Sequence, residues 1–283
     1  MPDESNGRII ETTSTTAVTE SVAIEDPPEI QKANPIHAAG GAEAYGYERP
    51  IVAGLSSYGW AAASLIELLG ESWLAFGWAD MAFRRPVFAG DRLVTTATLG
   101  DGFCVYEQRN EAGKITTEGR AGLGLAPFED EWDLPISRTA APPISHAPRL
   151  QPEQAPVGVD YPGMCVELSV EGSREWSANR LGDHHGRYQE GDAPFAHPSW
   201  VPGQMTPLIR HSYRFGAGIH TSGRVQHLRA VRAPQSVVVA GRWIANEQRK
   251  DRWWSTTDAV FSDDAGAELA YCRQTQILLP KLV

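Results

Sequence analysis

From Leu55 to Leu69 the chain reads LSSYGWAAASLIELL, with apolar or small residues on nearly every face. A helix that is apolar all round is one enclosed by other structure, and Gly70 stands where a glycine C-cap would end it. Three stretches rich in β-branched residues follow, RLVTTATL (92–99), CVYEQRN (104–110) and KITTEGRAGLGL (114–125), with NEAG between the last two as a hairpin turn. One buried helix followed by antiparallel strands predicts a sheet curled around that helix.

The pattern then breaks and returns. Pro135, Pro142, Pro143, Pro148, Pro152, Pro156 and Pro162 make the next segment read as a linker crossing the surface. Beyond it, VELSVEG (166–172) reads as a strand, REWSANRLGD (174–183) as a short helix and VPGQMTPLIRHSY (201–213) as a helix broken by Pro202 and Pro207. Strands follow at GRVQHLRAV (223–231), SVVVAGRWIA (236–245), RWWSTTDAVF (252–261) and ELAYCRQTQILL (268–279), with SDDAG as the last turn. Laying RRPVFAGDRLV (84–94) on LRAVRAPQSVV (228–238) pairs Arg85 with Arg229, Val87 with Val231 and Ala89 with Ala233, and brings the turns EAGK and DAGA into correspondence. The expected organisation is a flexible tail over 1–22, rich in Ser, Thr and Glu without apolar periodicity, a repeat over 23–126, a linker over 127–162 and a second repeat over 163–283.

Composition narrows the class. At 283 residues the chain can bury a sizeable core. The apolar run Ile51–Leu69 carries Ser56, Ser57, Ser64 and Glu67, which suits a buried helix better than a membrane span. The first residues, MPDESNGRIIETTSTT, do not show the basic-then-apolar order of a secretion signal, so a soluble cytoplasmic protein is expected. A formal charge of −10 argues against a general nucleic-acid binder. Cys104, Cys165 and Cys272 are few and far apart, as reduced thiols would be.

The candidate chemistry lies in KANPIHAAGGAEAYGYERPIVAGL (32–55). Its Asn34-Pro35-Ile36-His37 run, with Tyr47 and RPIVAGL in the sequel, resembles the hydration motif Gly-Asp-x-Asn-Pro-(aliphatic)-His of the MaoC-like hot-dog family, which includes R-specific enoyl-CoA hydratases. The Gly-Asp half is replaced by Gln31 and Lys32. In the second repeat LGDHHGRY supplies Gly182 and Asp183 at those positions, while His185, Gly186 and Tyr188 stand in place of the Asn, Pro and His. The resemblance implies an α+β double hot-dog fold, in which each repeat wraps an antiparallel sheet around a central helix.

It also implies a substrate, an acyl-CoA or acyl-carrier-protein thioester, with no cofactor beyond the coenzyme A or phosphopantetheine that the substrate carries. In that family an Asp and a His hold a water for addition to an enoyl thioester, and amides at the N-terminus of the buried helix stabilise the enolate. Carried over, His37, Asp183, His185 and Tyr188 are the candidate catalytic residues. Asn34, Gly54 and Ser199 are candidates for substrate binding, Ser199 because its neighbour Pro198 has no N–H to offer. Pseudo-symmetry places equivalent loops at opposite ends of the pair, so Asp183 is not expected to reach His37. Asp183 equally fits the brace of a turn after a helix ending at Leu181, and His37 a structural loop residue.

Arg84, Arg85, Arg229 and Arg232 are candidates for phosphate contacts or solvated strand ends. The adjacent His184 and His185 lack metal-ligand spacing. Neither a nucleic acid nor a membrane is an expected partner, and the oligomeric state, a homodimer included, is open. So is the reaction: conjugate addition of water or an amine such as glycine, the reverse dehydration, either one with thioester hydrolysis, plain thioesterase activity, or acyl binding by a non-catalytic subunit with decayed sites.

Overall fold

The computed structural model describes residues 6–280. In chain order the strands are β1 (Arg8–Thr12), β2 (Thr16–Val22), β3 (Gly77–Phe83), β4 (Arg92–Gly100), β5 (Phe103–Asn110), β6 (Ile115–Leu123), β7 (Asp160–Leu168), β8 (Ala217–His227), β9 (Gln235–Arg249), β10 (Arg252–Asp263) and β11 (Glu268–Leu279). They form one 11-stranded sheet, ordered β1-β2-β4-β5-β6-β3-β8-β11-β10-β9-β7. Read outward from its middle, β3-β6-β5-β4-β2 is matched strand for strand by β8-β11-β10-β9-β7. The halves join where β3 pairs antiparallel with β8, Asp80 opposite Arg224.

The central helix of the first half, Gly54–Leu69, is buried along most of its length, and its C-cap Gly70 adopts φ 73° while donating its N–H to the Ile66 carbonyl. Tyr58, Ala61, Ala62 and Leu65 are fully enclosed and pack with Trp73, Met81 and Tyr106. A sheet wrapped on this helix removes most of its surface from water, leaving Glu67 exposed, which is why a nearly all-round apolar sequence is stable here. The second half has the shorter helix Met205–Ser212, with Met205, Leu208 and Ile209 inside. Among the described residues no helix is long and apolar enough to cross a membrane.

Three expectations need correction. The region 1–22 is not a featureless tail: β1 and β2 occupy most of it, and β2 pairs with β4 from Thr16 to Val22, while residues 1–5 lie outside the described residues. Alternate residues of β2 do point inward, but they are Ala17, Thr19 and Ser21, so the period of two carries no large apolar signal. The strand expected over VELSVEG is β7, which begins at Asp160 and ends at Leu168; Ser169 then caps the helix Val170–Glu175 by accepting the Gly172 N–H at 3.0 Å. The helix expected over 174–183 therefore begins earlier, and it finishes in a π-helical turn over Trp176–Arg180. Part of the proline-rich segment is held against the sheet by aromatic contacts, Phe128 on Trp78 and Trp132 on Tyr271.

Candidate active site

His37 closes a single 3-10 turn, Pro35–His37, that follows the helix Pro28–Ala33. Asn34 between them is fastened to the other half: its Nδ2–H donates to the Gly218 carbonyl of β8 at 2.8 Å, and its Oδ1 accepts the Gly218 N–H at 3.3 Å. Two acceptors confront His37 Nδ1, the Ile51 carbonyl at 2.5 Å and Asp26 Oδ2 at 3.3 Å. Nδ1 must then carry the proton, and Nε2, 3.1 Å from Asn34 Nδ2, is the acceptor. Burial lowers the His37 pKa against the opposing pull of Asp26 and the Ile51 carbonyl, with the charge of Arg180 adding to the lowering. At neutral pH the ring is a neutral imidazole with its lone pair on Nε2.

Asp26 supplies the acid that Lys32 cannot. Its side chain is almost wholly buried, and besides His37 it meets the N–H of Ala53, the N-cap residue of the central helix, at 2.7 Å. A carboxylate at that end also faces the positive pole of the helix. Its other oxygen lies 3.4 Å from Nη2 of Arg180, a residue of the second half. Arg180 is itself buried, sits over the Trp176 ring and donates from Nε to Ser56 Oγ at 3.3 Å. A buried ion pair of this kind costs several kcal/mol in desolvation and needs further hydrogen bonds to hold, here from the Ala53 N–H to Asp26 and from Arg180 Nε to Ser56. Sequence reasoning missed both residues; Asp26 sits ahead of a Pro-Pro step, but no fixed spacing to His37 marks it.

Between the halves lies a cavity of about 280 Å³. The first half contributes Asn34, Ile36, His37, Val52, Gly54 and Phe83 to its wall, and the second half Thr206, Gly218, His220, Trp254, Gln274 and Gln276. The exposed residues Arg84, Arg85 and Arg252 line it as well. Gly54 and Leu55 open the central helix, so their N–H groups have no intrahelical acceptor, and both residues line this space. Asn34, the partner of Nε2, lines this cavity, whereas Asp26, the partner of Nδ1, lines a separate one of about 180 Å³. His37 lines both cavities, as do Ile51 and Val52. His220 also belongs to the larger cavity; enclosure pushes its imidazole down to about 4, and Nε2 donates to the Ser222 carbonyl at 3.0 Å.

His37, Asn34 and Gly54 thus come together, and Asp183, His185, Tyr188 and Ser199 do not join them, since none lines the cavity. Asp183 braces a turn: Gly182 takes φ 67° and Asp183 Oδ1 accepts the His185 N–H at 2.9 Å. His185 in turn caps the short helix Gly186–Gln189 by accepting the Arg187 N–H. Asp183 Oδ2 lies 3.6 Å from His197 Nε2, while His197 Nδ1 is 3.0 Å from Ser199 Oγ, which also accepts the Trp176 indole N–H. Burial pushes the Asp183 carboxyl up, but the contacts with His197 and His185 together outweigh it and the net shift is down; burial lowers His197. Tyr188 stacks on His197 with its hydroxyl buried and unpartnered. In this Asp-His-Ser array His197 and Ser199 are buried, and Asp183 keeps a partly exposed side chain. Of the four arginines, Arg84 and Arg85 line the cavity, while Arg232 lies over Phe195 and donates to the Ala193 carbonyl.

No protein-family model matches the sequence, and no curated protein matches it. Solved structures do match over nearly the full length. A MaoC-like dehydratase superposes with TM-score 0.59 at 13% identity, covering 95% of this chain and 98% of its own. A Chloroflexus aurantiacus protein assigned as a MaoC domain dehydratase gives TM-score 0.61 at 14% identity, with 100% of both chains covered. A Mycobacterium tuberculosis conserved hypothetical protein with a double hot-dog fold gives 0.61 at 13% identity, covering 98% and 97%. Together with the two matched half-sheets and their helices, these likenesses show that the chain has the double hot-dog fold of the MaoC-like dehydratase structures.

Proposed function

We propose that the chain is an enzyme acting on an acyl thioester of coenzyme A or a carrier protein, by conjugate addition to an enoyl thioester or the reverse dehydration, with His37 as the proton carrier. The observation that carries this reading is the shared cavity: His37, whose acceptor nitrogen is Nε2, and the helix-opening residues Gly54 and Leu55 wall one space. The fold likeness to a protein named as a MaoC-like dehydratase supports the same class.

In the addition direction Nε2 takes a proton from water as the water oxygen bonds to Cβ of the enoyl group. The Cα–Cβ π electrons move to the thioester oxygen, where the helix amides stabilise the enolate. Imidazolium Nε2–H then protonates Cα and His37 returns to its starting state. A single imidazole performs both transfers when water and proton add to one face. Asp26, behind Nδ1, fixes the tautomer and steadies the transient cation, which differs from a motif aspartate that touches the water itself. Arg84, now paired with Glu118, and Arg85, now bonded to the Ile115 carbonyl, line the cavity and are the cations proposed to meet the phosphate.

Incubation with crotonyl and longer enoyl thioesters, with and without glycine, tests the reading. Product of water or amine addition is expected, and His37→Ala should lower its rate by about 10²–10⁴. Free thiol released without an adduct would make the chain a thioesterase; no turnover of any CoA or carrier-protein thioester would leave it an acyl-binding subunit.

A further inference from the structure

The cavity wall facing the His37 loop is built of amides. Gln274 and Gln276 belong to β11 and are 3% and 2% exposed, yet both line the cavity, as does Thr206. The Gln276 carboxamide lies against Gly218 so closely that a Cβ there would meet its oxygen at 2.5 Å. Gly218 is the residue that holds Asn34, and Asn34 is the residue on His37 Nε2. The Gln276 carboxamide is therefore linked to the proton-transfer position through two residues, Gly218 and Asn34.

Its oxygen is occupied, accepting Gln274 Nε2–H at 3.3 Å, and the same nitrogen reaches Thr206 Oγ1 at 3.5 Å. Gln276 Nε2 and Gln274 Oε1 have no hydrogen-bond partner among the described residues, and neither is sealed from the cavity. Phe83, Ile219 and Ile277 line the same space. A guest that displaces water from these two groups must replace its hydrogen bonds, and one supplying both a donor and an acceptor does so. An alkyl chain would leave both groups unsatisfied. The cavity volume, about 280 Å³, is also at the lower end for small-molecule sites.

We infer that the acyl group taken by this chain is short and carries a hydroxyl, carbonyl or amide a few bonds beyond the reacting carbons, bound by Gln276 and Gln274. The inference rests on the thioester reading above. A site built to hydrogen-bond a polar substituent rejects its apolar counterpart because the site's own groups stay unpaired.

The test compares two unreactive thioethers of phosphopantetheine, one bearing a 4-hydroxybutyl and the other a pentyl group, by titration calorimetry with the full chain. The hydroxylated ligand should bind about tenfold tighter to the wild type. Gln276→Met should abolish or reverse that preference, and Gln274→Met is an independent second variant should the first not fold. Equal or tighter binding of the pentyl ligand by the wild type, or a preference unchanged in both variants, overturns the inference and leaves the thioester reading standing. If neither thioether binds, both fall.

Discussion

Exchanging Asp26 for Asn removes the negative charge that faces His37 Nδ1 and strands the buried Arg180 guanidinium. Asp26 raises the His37 pKa and Arg180 lowers it. If turnover needs the neutral ring, the acidic limb of the pH–rate profile lies below the ordinary histidine value, and Asp26→Asn should move it lower still. Arg180→Met should move it higher. Opposite displacements of one limb cannot come from general loosening, because both variants break the same buried pair and each should lose about 3–5 kcal/mol of stability, measured by urea unfolding. Equal profiles in the two variants would remove Asp26 and Arg180 from control of the His37 ring. His37, Asn34 and Gly54 were legible because the Asn-Pro-Ile-His run keeps its local spacing. Asp26 was not, since it comes to the ring by a turn at Pro27 and Pro28 and from the Nδ1 side, where no motif position leads. Arg180 was hidden further, being 154 residues from Asp26.

Elements showed themselves in the sequence as sustained apolar or β-branched runs. The Gly54–Leu69 helix and β4, β5, β10 and β11 fall within a residue or two of where periodicity puts them. β2 escaped because Ala, Thr and Ser fill its inward face, and β7 was displaced because the β-branched run of VELSVEG hides a cap at Ser169. A hydroxyl three residues before an open amide overrides strand propensity once the chain can turn there. Ser169→Ala should therefore cost about 1 kcal/mol in the urea midpoint, while turnover at His37 stays unchanged. A loss well under half of that would mean the helix Val170–Glu175 is held by its packing alone, Ser173 being its buried residue.

For the molecule as a whole, the duplication was readable from the Arg85/Arg229 register, but the unequal fate of the halves was not, because it depends on which polar groups meet. The first half brings His37 and the second His220 to the shared cavity, while the second half buries His197 and Ser199 away from it. This economy fills the interior with imidazoles that must stay neutral. Burial lowers His37 and His197, and pushes His227 down to about 4. His227 is the plainest case, 3% exposed, edge-on to Trp73 and with both ring nitrogens unpartnered. The unfolded chain protonates these rings near pH 6.5, the folded chain only lower, so between those values the unfolded state binds more protons. Stability is then fully present above about pH 6.5 and falls as the pH drops, with His227 alone contributing of order 2 kcal/mol by about pH 4.5. The lowered carboxyls Asp183, Glu131 and Glu268 have the same sign but act below their ordinary range, so the upper part of the fall belongs to histidine. Urea midpoints from pH 7.5 to 4.5 would measure it. His227→Leu should flatten the curve while keeping the neutral-pH midpoint near that of the wild type, since it deletes an unpaired polar group instead of a bond; a curve as steep as the wild type's would place the acid sensitivity elsewhere.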